Sequence, residues 1–309
     1  MNNHRKIAVL LCTYNGTKYI RKQIDSIINQ TEVNWTIFAS DDGSTDDTLA
    51  ILSEYQSRLG EDRFIIIKGP GKGFAWNFIN LLEASGNEYS HYAFSDQDDE
   101  WHTDKLSRGL LYLDKIDAEI PAVHCGRTLL VDENDKEIGY SPLFQKNPSF
   151  KNALIQSIAG GNTMMLNNSA RSIIIKTPRW YEIVSHDWWI YILITGCNGK
   201  VFYDEKPTIN YRQHTDNIVG SNMSWLGRIQ RISGLLDGKF RVWIQKNLDA
   251  MAAMDIPLSK ENKNVLALFS RARNANFVER VSIFCKLKMY RQTFFGTIAL
   301  FVAIILKKI

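Results

Sequence analysis

The chain has 309 residues, 45% hydrophobic and 23% charged, an ordinary globular composition that excludes disordered, collagenous and multi-span membrane classes. The net charge of +4 is unevenly placed: residues 1–224 carry 22 Lys and Arg against 28 Asp and Glu, and residues 225–309 carry 15 against 5. An acidic body with a basic tail argues against a nucleic-acid binder and points the tail towards something anionic.

Met1 to Lys6 is polar and leads directly into an apolar run, so no secretory signal is expected. Ile7 to Cys12 reads as a buried parallel strand ending in the turn Thr13-Tyr14-Asn15-Gly16. A helix follows with Ile20, Ile24, Ile27 and Ile28 on one face. Trp35 to Ala39 is a second strand, broken at Ser40-Asp-Asp-Gly-Ser-Thr-Asp46, and a helix over 47–58 returns to a third strand at Phe64–Ile67. The loop Gly69-Pro-Gly-Lys-Gly73 opens a helix near Phe74, and the strand Tyr92–Phe94 runs into Ser95-Asp-Gln-Asp-Asp99. This alternation predicts an α/β doubly wound sheet, whose ligands sit at the carboxyl ends of its strands. Each polar cluster falls at such an end.

Beyond residue 120 the pattern changes. Ala122–Val131 is strand-like, Asp132–Asp135 reads as a turn, and Ile158–Leu166 gives a glycine-containing bend and a further strand. Val201–Tyr203 and Thr208–Tyr211, split by Pro207, are expected to form a hairpin. From Trp225 the periodicity is helical with interleaved basic residues, and the boundary is expected at Gly220–Trp225, where the charge balance flips. Thr293–Leu306 is uncharged; as a helix it would reach about 21 Å, short of the ~30 Å hydrocarbon core, so surface or half-inserted attachment is expected rather than a span. Cys12, Cys125, Cys197 and Cys285 are widely spaced, which excludes a disulfide scaffold or a Cys-rich zinc site and fits a reducing compartment.

Three carboxylates in Asp96-Gln-Asp-Asp99 repel one another unless a cation or a hydrogen-bond network compensates. Mg²⁺ or Mn²⁺ takes oxygen ligands of this kind together with substrate phosphates. The alternative is a solvated acidic turn. In the second acidic loop, helix capping accounts for Thr45, Asp46 and Asp47 but not for Asp41 and Asp42. Asp41 is placed to accept from a base N–H or a ribose hydroxyl. The Gly69–Gly73 loop lacks phosphate-loop spacing, yet it could bring Lys72 to a diphosphate. In His186-Asp-Trp-Trp189, Asp187 suits a proton acceptor and the indoles of Trp188 and Trp189 a sugar wall, or Asp187 caps a helix and the tryptophans are core. His214 follows a strand, and a lone histidine there is more often structural than a ligand.

Taken together, these motifs resemble glycosyltransferase family 2. The chain has Thr13-Tyr14-Asn15 at the first strand end, Asp41 to Asp46 at the second, a Gly-x-Ala-x-Asn helix start at Gly73, Ala75 and Asn77, and the Asp-x-Asp-Asp pattern at Asp96 to Asp99. The resemblance covers residues 5–220. Ser95–Trp101, Asp104-Lys105-Leu106, His186–Trp189 and Tyr211–His214 look most like bacterial rhamnosyltransferases of polysaccharide and O-antigen assembly. It implies a GT-A fold, a doubly wound mixed sheet with a basic helical extension. Its catalytic domain would span 1–222, with a nucleotide half over 1–120 and an acceptor half over 121–222, and 223–309 would be a helical membrane-associating region. Thr13, Tyr14, Asn15, Asp41, Lys72, Asn77 and Asp96 would bind the nucleotide sugar. Asp98, with His214, would hold Mn²⁺ or Mg²⁺, and Asp187 would be the general base. Trp188, Trp189, Gly161 and Asn162 would wall the acceptor side. Where many members carry Arg before the helix-start Asn, this chain has Trp76, so Lys72 is the substitute for that contact.

The expected activity is inverting, metal-dependent transfer of a sugar, with dTDP-L-rhamnose as donor, to a lipid-linked glycan at the cytoplasmic face of the membrane. The tail's Lys and Arg would meet anionic lipid at roughly 1 kcal/mol each. A UDP-hexose donor, or a non-catalytic sugar- or membrane-binding protein, stays open, as does a homo-oligomer.

Overall fold

A computed structural model of the chain describes residues 5–214 and 238–309. The domain boundary expected near 222, Arg228 and Arg231 lie outside the described residues. The first strands and helices follow in order: β1 (Ile7–Thr13), α1 (Ile20–Ile28), β2 (Trp35–Asp41), α2 (Thr48–Leu59), β3 (Phe64–Lys68), α3 (Phe74–Ala84), β4 (His91–Ser95), β5 (Glu100–Trp101) and α4 (Lys105–Leu113). Next come β6 (Ala122–Gly126), β7 (Leu129–Val131), β8 (Glu137–Tyr140), α5 (Phe150–Ala153), β9 (Met165–Asn167), α6 (Asn168–Ile174), α7 (His186–Gly196), β10 (Lys200–Asp204) and β11 (Ile209–Arg212). Four helices close the chain: α8 (Lys239–Ala252), α9 (Lys260–Asn274), α10 (Phe277–Leu287) and α11 (Phe294–Ile305).

A seven-stranded sheet runs in the order β10-β6-β9-β4-β1-β2-β3. Its pairs are parallel except where β9 runs antiparallel to β4 and β6. β1 is buried on both faces, and its period of two divides the core. Ile7, Val9 and Leu11 face α1, α2 and α4, whereas Ala8, Leu10 and Cys12 face α3, α6 and α7. The isoleucines Ile20, Ile24 and Ile27 fill the first of these cores, as their spacing predicts.

A second, four-stranded sheet has the order β5-β11-β7-β8. The expected hairpin of Val201–Tyr203 with Thr208–Tyr211 does not form. β10 pairs in parallel with β6 in the large sheet, while β11 pairs with β5 and β7 in the small one. The link around Pro207 changes sheets instead of folding back. In the same way the strand expected over Ala122–Val131 divides into β6 and β7, one in each sheet.

The C-terminal helices share a core with the α7 side of the sheet. Phe240 stacks on Trp188 with ring centroids 5.9 Å apart, and the Asn262 side chain donates to the carbonyls of Thr195 and Gly196 at the end of α7. Gln292, before α11, donates to Asn152 Oδ1 at 3.3 Å, and that oxygen also accepts from Tyr191 OH of α7 at 2.9 Å. Among the described residues, no helix is long and apolar enough to cross a membrane.

Candidate active site

The site lies where the two sheets meet. β4 ends at Ser95, the chain passes through Asp96–Asp99, and β5 begins at Glu100 in the other sheet. One ligand oxygen from each of Asp96, Asp98 and Asp99 can be chosen so that all three lie within 4.8 Å of one another. Burial, with the charges of Asp98 and Asp187 adding, pushes Asp96 up to about 8. Asp99, fully buried, is also held well above the usual carboxylate range, by burial first and by Asp98 and Asp96 next. Such a cluster is what a hard divalent cation relieves, and its oxygens fit that group.

The protein supplies part of the compensation. Asn162 Nδ2 donates to Asp99 Oδ2 at 2.5 Å and the Arg212 backbone N–H to Asp99 Oδ1 at 3.3 Å. Lys105, buried beneath the loop, donates to the Thr163 carbonyl at 3.3 Å and lies over the Trp101 ring. Burial draws its ammonium down to about 7 against the attraction of Asp99. The small sheet brings in His214 just past β11, with Nε2 2.8 Å from Asp98 Oδ2 and its ring 5.4 Å from that of Tyr19. Asp98 and His214, predicted together, are together.

Along the strand ends, Thr13 Oγ1 donates to Asp41 Oδ2 at 2.9 Å, and Asp41 Oδ1 accepts from the N–H groups of Gly43 and Ser44. Asn15, in the left-handed region at φ 49°, accepts from Thr45 N–H and so fixes the second acidic loop. Tyr14, 58% exposed, stands at the end of this wall. Lys72 is exposed on its loop and borders a small cleft with Trp76 and Arg179. Asn77 requires correction. It is buried, accepting from Ser40 Oγ at 2.5 Å and donating to the Ser40 carbonyl, so its amide ties α3 to β2.

On the opposite wall Asp187 sits in the first turn of α7, half-buried, and accepts from Ser157 Oγ at 3.3 Å. Trp188 and Trp189 do not form a sugar wall. Both are buried, with indole N–H groups donating inward to the Ala153 carbonyl and Thr177 Oγ1. α7 is apolar all round, and such a helix is a core helix. Asn162 is likewise turned from the acceptor side onto Asp99. Gly161 backs onto His186, and a Cβ there would come within 1.9 Å of Nε2. His186 is buried against Phe78, their centroids 4.2 Å apart, and burial lowers its pKa to about 4. Neither ring nitrogen has a hydrogen-bond partner among the described residues.

Gln97 and Arg212 escape sequence reading, and Asp42, which capping leaves unexplained, finds its partners only in the fold. Gln97 clasps both backbone groups of Tyr14, at 2.9 Å each, joining the first strand end to the acidic loop. Asp42 accepts from the N–H groups of Gly71 and Gly73 and so holds the Lys72 loop. Arg212 donates to the Asp98 carbonyl at 3.1 Å and pairs with Asp135 on the β7–β8 turn. Gln97 and Asp42 are plain polar residues inside loops already singled out, and only the fold shows what each one holds.

A mostly parallel sheet with a carboxylate loop at its centre and an acid on the facing helix is the arrangement of the GT-A fold. The glycosyl transferase family 2 model matches residues 8–173, and the chain belongs to that family and is a glycosyltransferase. It is 32% identical over 260 residues to the dTDP-rhamnosyl transferase RfbG of Shigella flexneri, covering 78% of this chain and 83% of that one. It is 33% identical to an uncharacterized glycosyltransferase of Haemophilus influenzae, over 69% of this chain and 67% of that protein. Among solved structures it is similar to S. aureus TarS (1–349), with TM-score 0.56 and 14% identity over 91% of this chain and 72% of that chain. The mannosyltransferase PcManGT of Pyrobaculum calidifontis, in complex with GDP-Man and Mn²⁺, aligns with TM-score 0.52 and 14% identity over 99% of this chain and 86% of that one.

Proposed function

We propose that the protein transfers L-rhamnose from dTDP-L-rhamnose, with inversion, to a lipid-linked glycan presented at the cytoplasmic face of the membrane in bacterial surface polysaccharide assembly. The observation that carries this reading is the facing pair of carboxylate sites, Asp96–Asp99 at the sheet and Asp187 on α7. The extent of identity to a dTDP-rhamnosyl transferase supports the choice of donor.

The division of labour follows from the chemistry. Thr13 and Asp41 line the nucleoside end, and Asp96 faces the ribose. Asp98 and His214 would hold Mn²⁺ or Mg²⁺, which when bound supplies charge neutralisation at the leaving diphosphate. The exposed Lys72 ammonium reaches the same diphosphate from the loop that Asp42 anchors. Asp187, oriented by Ser157, takes the proton of the acceptor hydroxyl as that oxygen bonds to the anomeric carbon. The diphosphate departs from the opposite face with the bonding pair, so one displacement inverts the centre and leaves no covalent sugar on the enzyme.

Calorimetric titration with dTDP and with UDP, each with and without Mn²⁺, tests the donor. Metal-dependent dTDP binding with weak UDP binding is expected; preference for UDP would overturn the rhamnose assignment. Asp187→Asn should keep nucleotide affinity and lose about 10²–10⁴-fold in kcat, whereas Asp98→Asn should lose the metal dependence of binding. An Asp187→Asn enzyme as active as the parent would remove Asp187 from the mechanism.

A further inference from the structure

Helix α11 is apolar on both of its sides. Leu300, Ala303 and Ile304 pack into the protein, while Phe294, Phe295, Ile298, Val302 and Ile305 face outward at positions i, i+1, i+4, i+8 and i+11. Phe294 is 73% and Phe295 80% exposed. Scattered exposed apolar residues are ordinary on a globular surface, but a continuous helical stripe of them is not. The N-terminal turn of α10 extends the stripe. Arg280 donates to the carbonyls of Ile304 and Ile305 and lies over the Phe277 ring, which sets the exposed Phe277 beside the end of α11.

Among the described residues, the charges that flank the stripe along the chain are basic, apart from Glu279. Exposed Lys288 and half-buried Arg291 precede it. Lys307 and Lys308 follow it, with Arg241 bonded to the Lys307 carbonyl at 2.9 Å. From residue 280 to the C-terminal Ile309 the sequence has no Asp or Glu. Glu279, next to Val278, is paired with Arg271. Two of the basic residues expected to meet lipid do something else: Arg273 and Arg280 are buried and brace the helices against one another. The apolar stripe, rather than a uniformly basic helix face, is therefore the distinguishing feature.

We infer that this stripe docks the protein on an anionic lipid bilayer with α11 lying in the membrane plane. Its 12 residues extend about 18 Å, too short for the ~30 Å hydrocarbon core but suited to the boundary between headgroups and acyl chains. Aromatic and aliphatic side chains enter that boundary while the cationic ends meet the phosphates. A second copy of the chain is a poorer occupant, because a self-complementary contact would bring two cationic rims together with only Glu279, already paired with Arg271, between them. The inference rests on the transferase reading only for the lipid-linked acceptor that docking would bring within reach.

The test is co-sedimentation of the full-length protein with vesicles of phosphatidylcholine alone or mixed with phosphatidylglycerol. Binding to the mixed vesicles is expected, weakening as salt is raised. Phe294→Ser/Phe295→Ser should lower the partition coefficient at least about ten-fold, since two large apolar groups no longer leave water. Lys307→Ser/Lys308→Ser should lower it less and flatten the salt dependence. Both pairs are exposed or nearly so, and an unchanged melting temperature would exclude misfolding as the cause. The inference is overturned if the wild type binds neither vesicle, if the Phe variant binds as the wild type does, or if the stripe instead holds a dimer that the Phe variant dissociates. Nucleotide titration of the same samples separates the two readings: loss of donor binding with intact vesicle binding would sink the transferase assignment and leave the docking surface standing.

Discussion

Alanine at Gly161 tests how the acidic loop is held. The added Cβ would lie 1.9 Å from His186 Nε2 and 2.6 Å from Cε1, where ordinary contact needs about 3.5 Å or more. The imidazole has nowhere to go, with Phe78 at 4.2 Å on one side and the rings of Phe94 and Phe74 at 5.4 and 6.0 Å on others. Gly161 is not among the glycines with positive φ, so alanine is permitted by the backbone and the penalty is steric. The bend must therefore retreat by roughly 1.5 Å, and Asn162, the next residue, moves off Asp99. Overpacking costs about 1–3 kcal/mol and a disrupted hydrogen bond to a buried carboxyl about as much again, so Gly161→Ala should lose about 3 kcal/mol or more. Urea unfolding reads the stability, and Mn²⁺-dependent nucleotide titration reads the loop. In a His186→Ala background the same substitution should cost under about 1 kcal/mol, a coupling of about 2 kcal/mol. A Gly161→Ala protein within about 0.5 kcal/mol of the parent, or an equal penalty with and without His186, would refute the reasoning.

The unfolded chain takes up a proton at His186 near pH 6.5, which the folded form refuses until about pH 4. Stability should fall as pH is lowered through that window, reaching a loss of about 3 kcal/mol at its lower end; urea midpoints in His186→Leu should show a shallower acid slope. Asp42→Ala frees the N–H groups of Gly71 and Gly73 and should raise the donor dissociation constant about ten-fold, as two hydrogen bonds to a carboxylate no longer order the Lys72 loop. Unchanged hydrogen exchange at Gly71 and Gly73 would argue against that anchor. Arg280→Met removes the donor to the Ile304, Ile305 and Ala275 carbonyls and should destabilise by about 3 kcal/mol, with exchange protection lost first in the last turn of α11.

The strands and helices of the first hundred residues were legible because buried parallel strands are continuous apolar runs that break at polar loops, as Ile7–Cys12 does. What could not be read was partnership. Lys200–Asp204 and Ile209–Arg212 are neighbouring strand segments that could close a hairpin, and only their hydrogen-bond partners in two different sheets decide otherwise. The candidate site was legible where like charges crowd together, as in the Asp96–Asp99 cluster, and illegible where a common polar residue acts through geometry, as with Gln97. Trp188 and Trp189 misled because an indole suits a sugar face and a core equally, and the apolar run that follows them was the better guide.

The seam Gln292–Asn152–Tyr191 has a consequence for modularity. Tyr191 stands one helical turn after Asp187, on the helix that Phe240 and Asn262 also grip. The C-terminal helices are thus part of what holds Asp187 in position. An exchange of tails between relatives, made to redirect the enzyme to another surface, would have to carry α5 and α7 with it. A graft joined ahead of α8 would set a foreign partner against Trp188 and loosen the helix that bears Asp187, so the tail cannot be exchanged without disturbing the site.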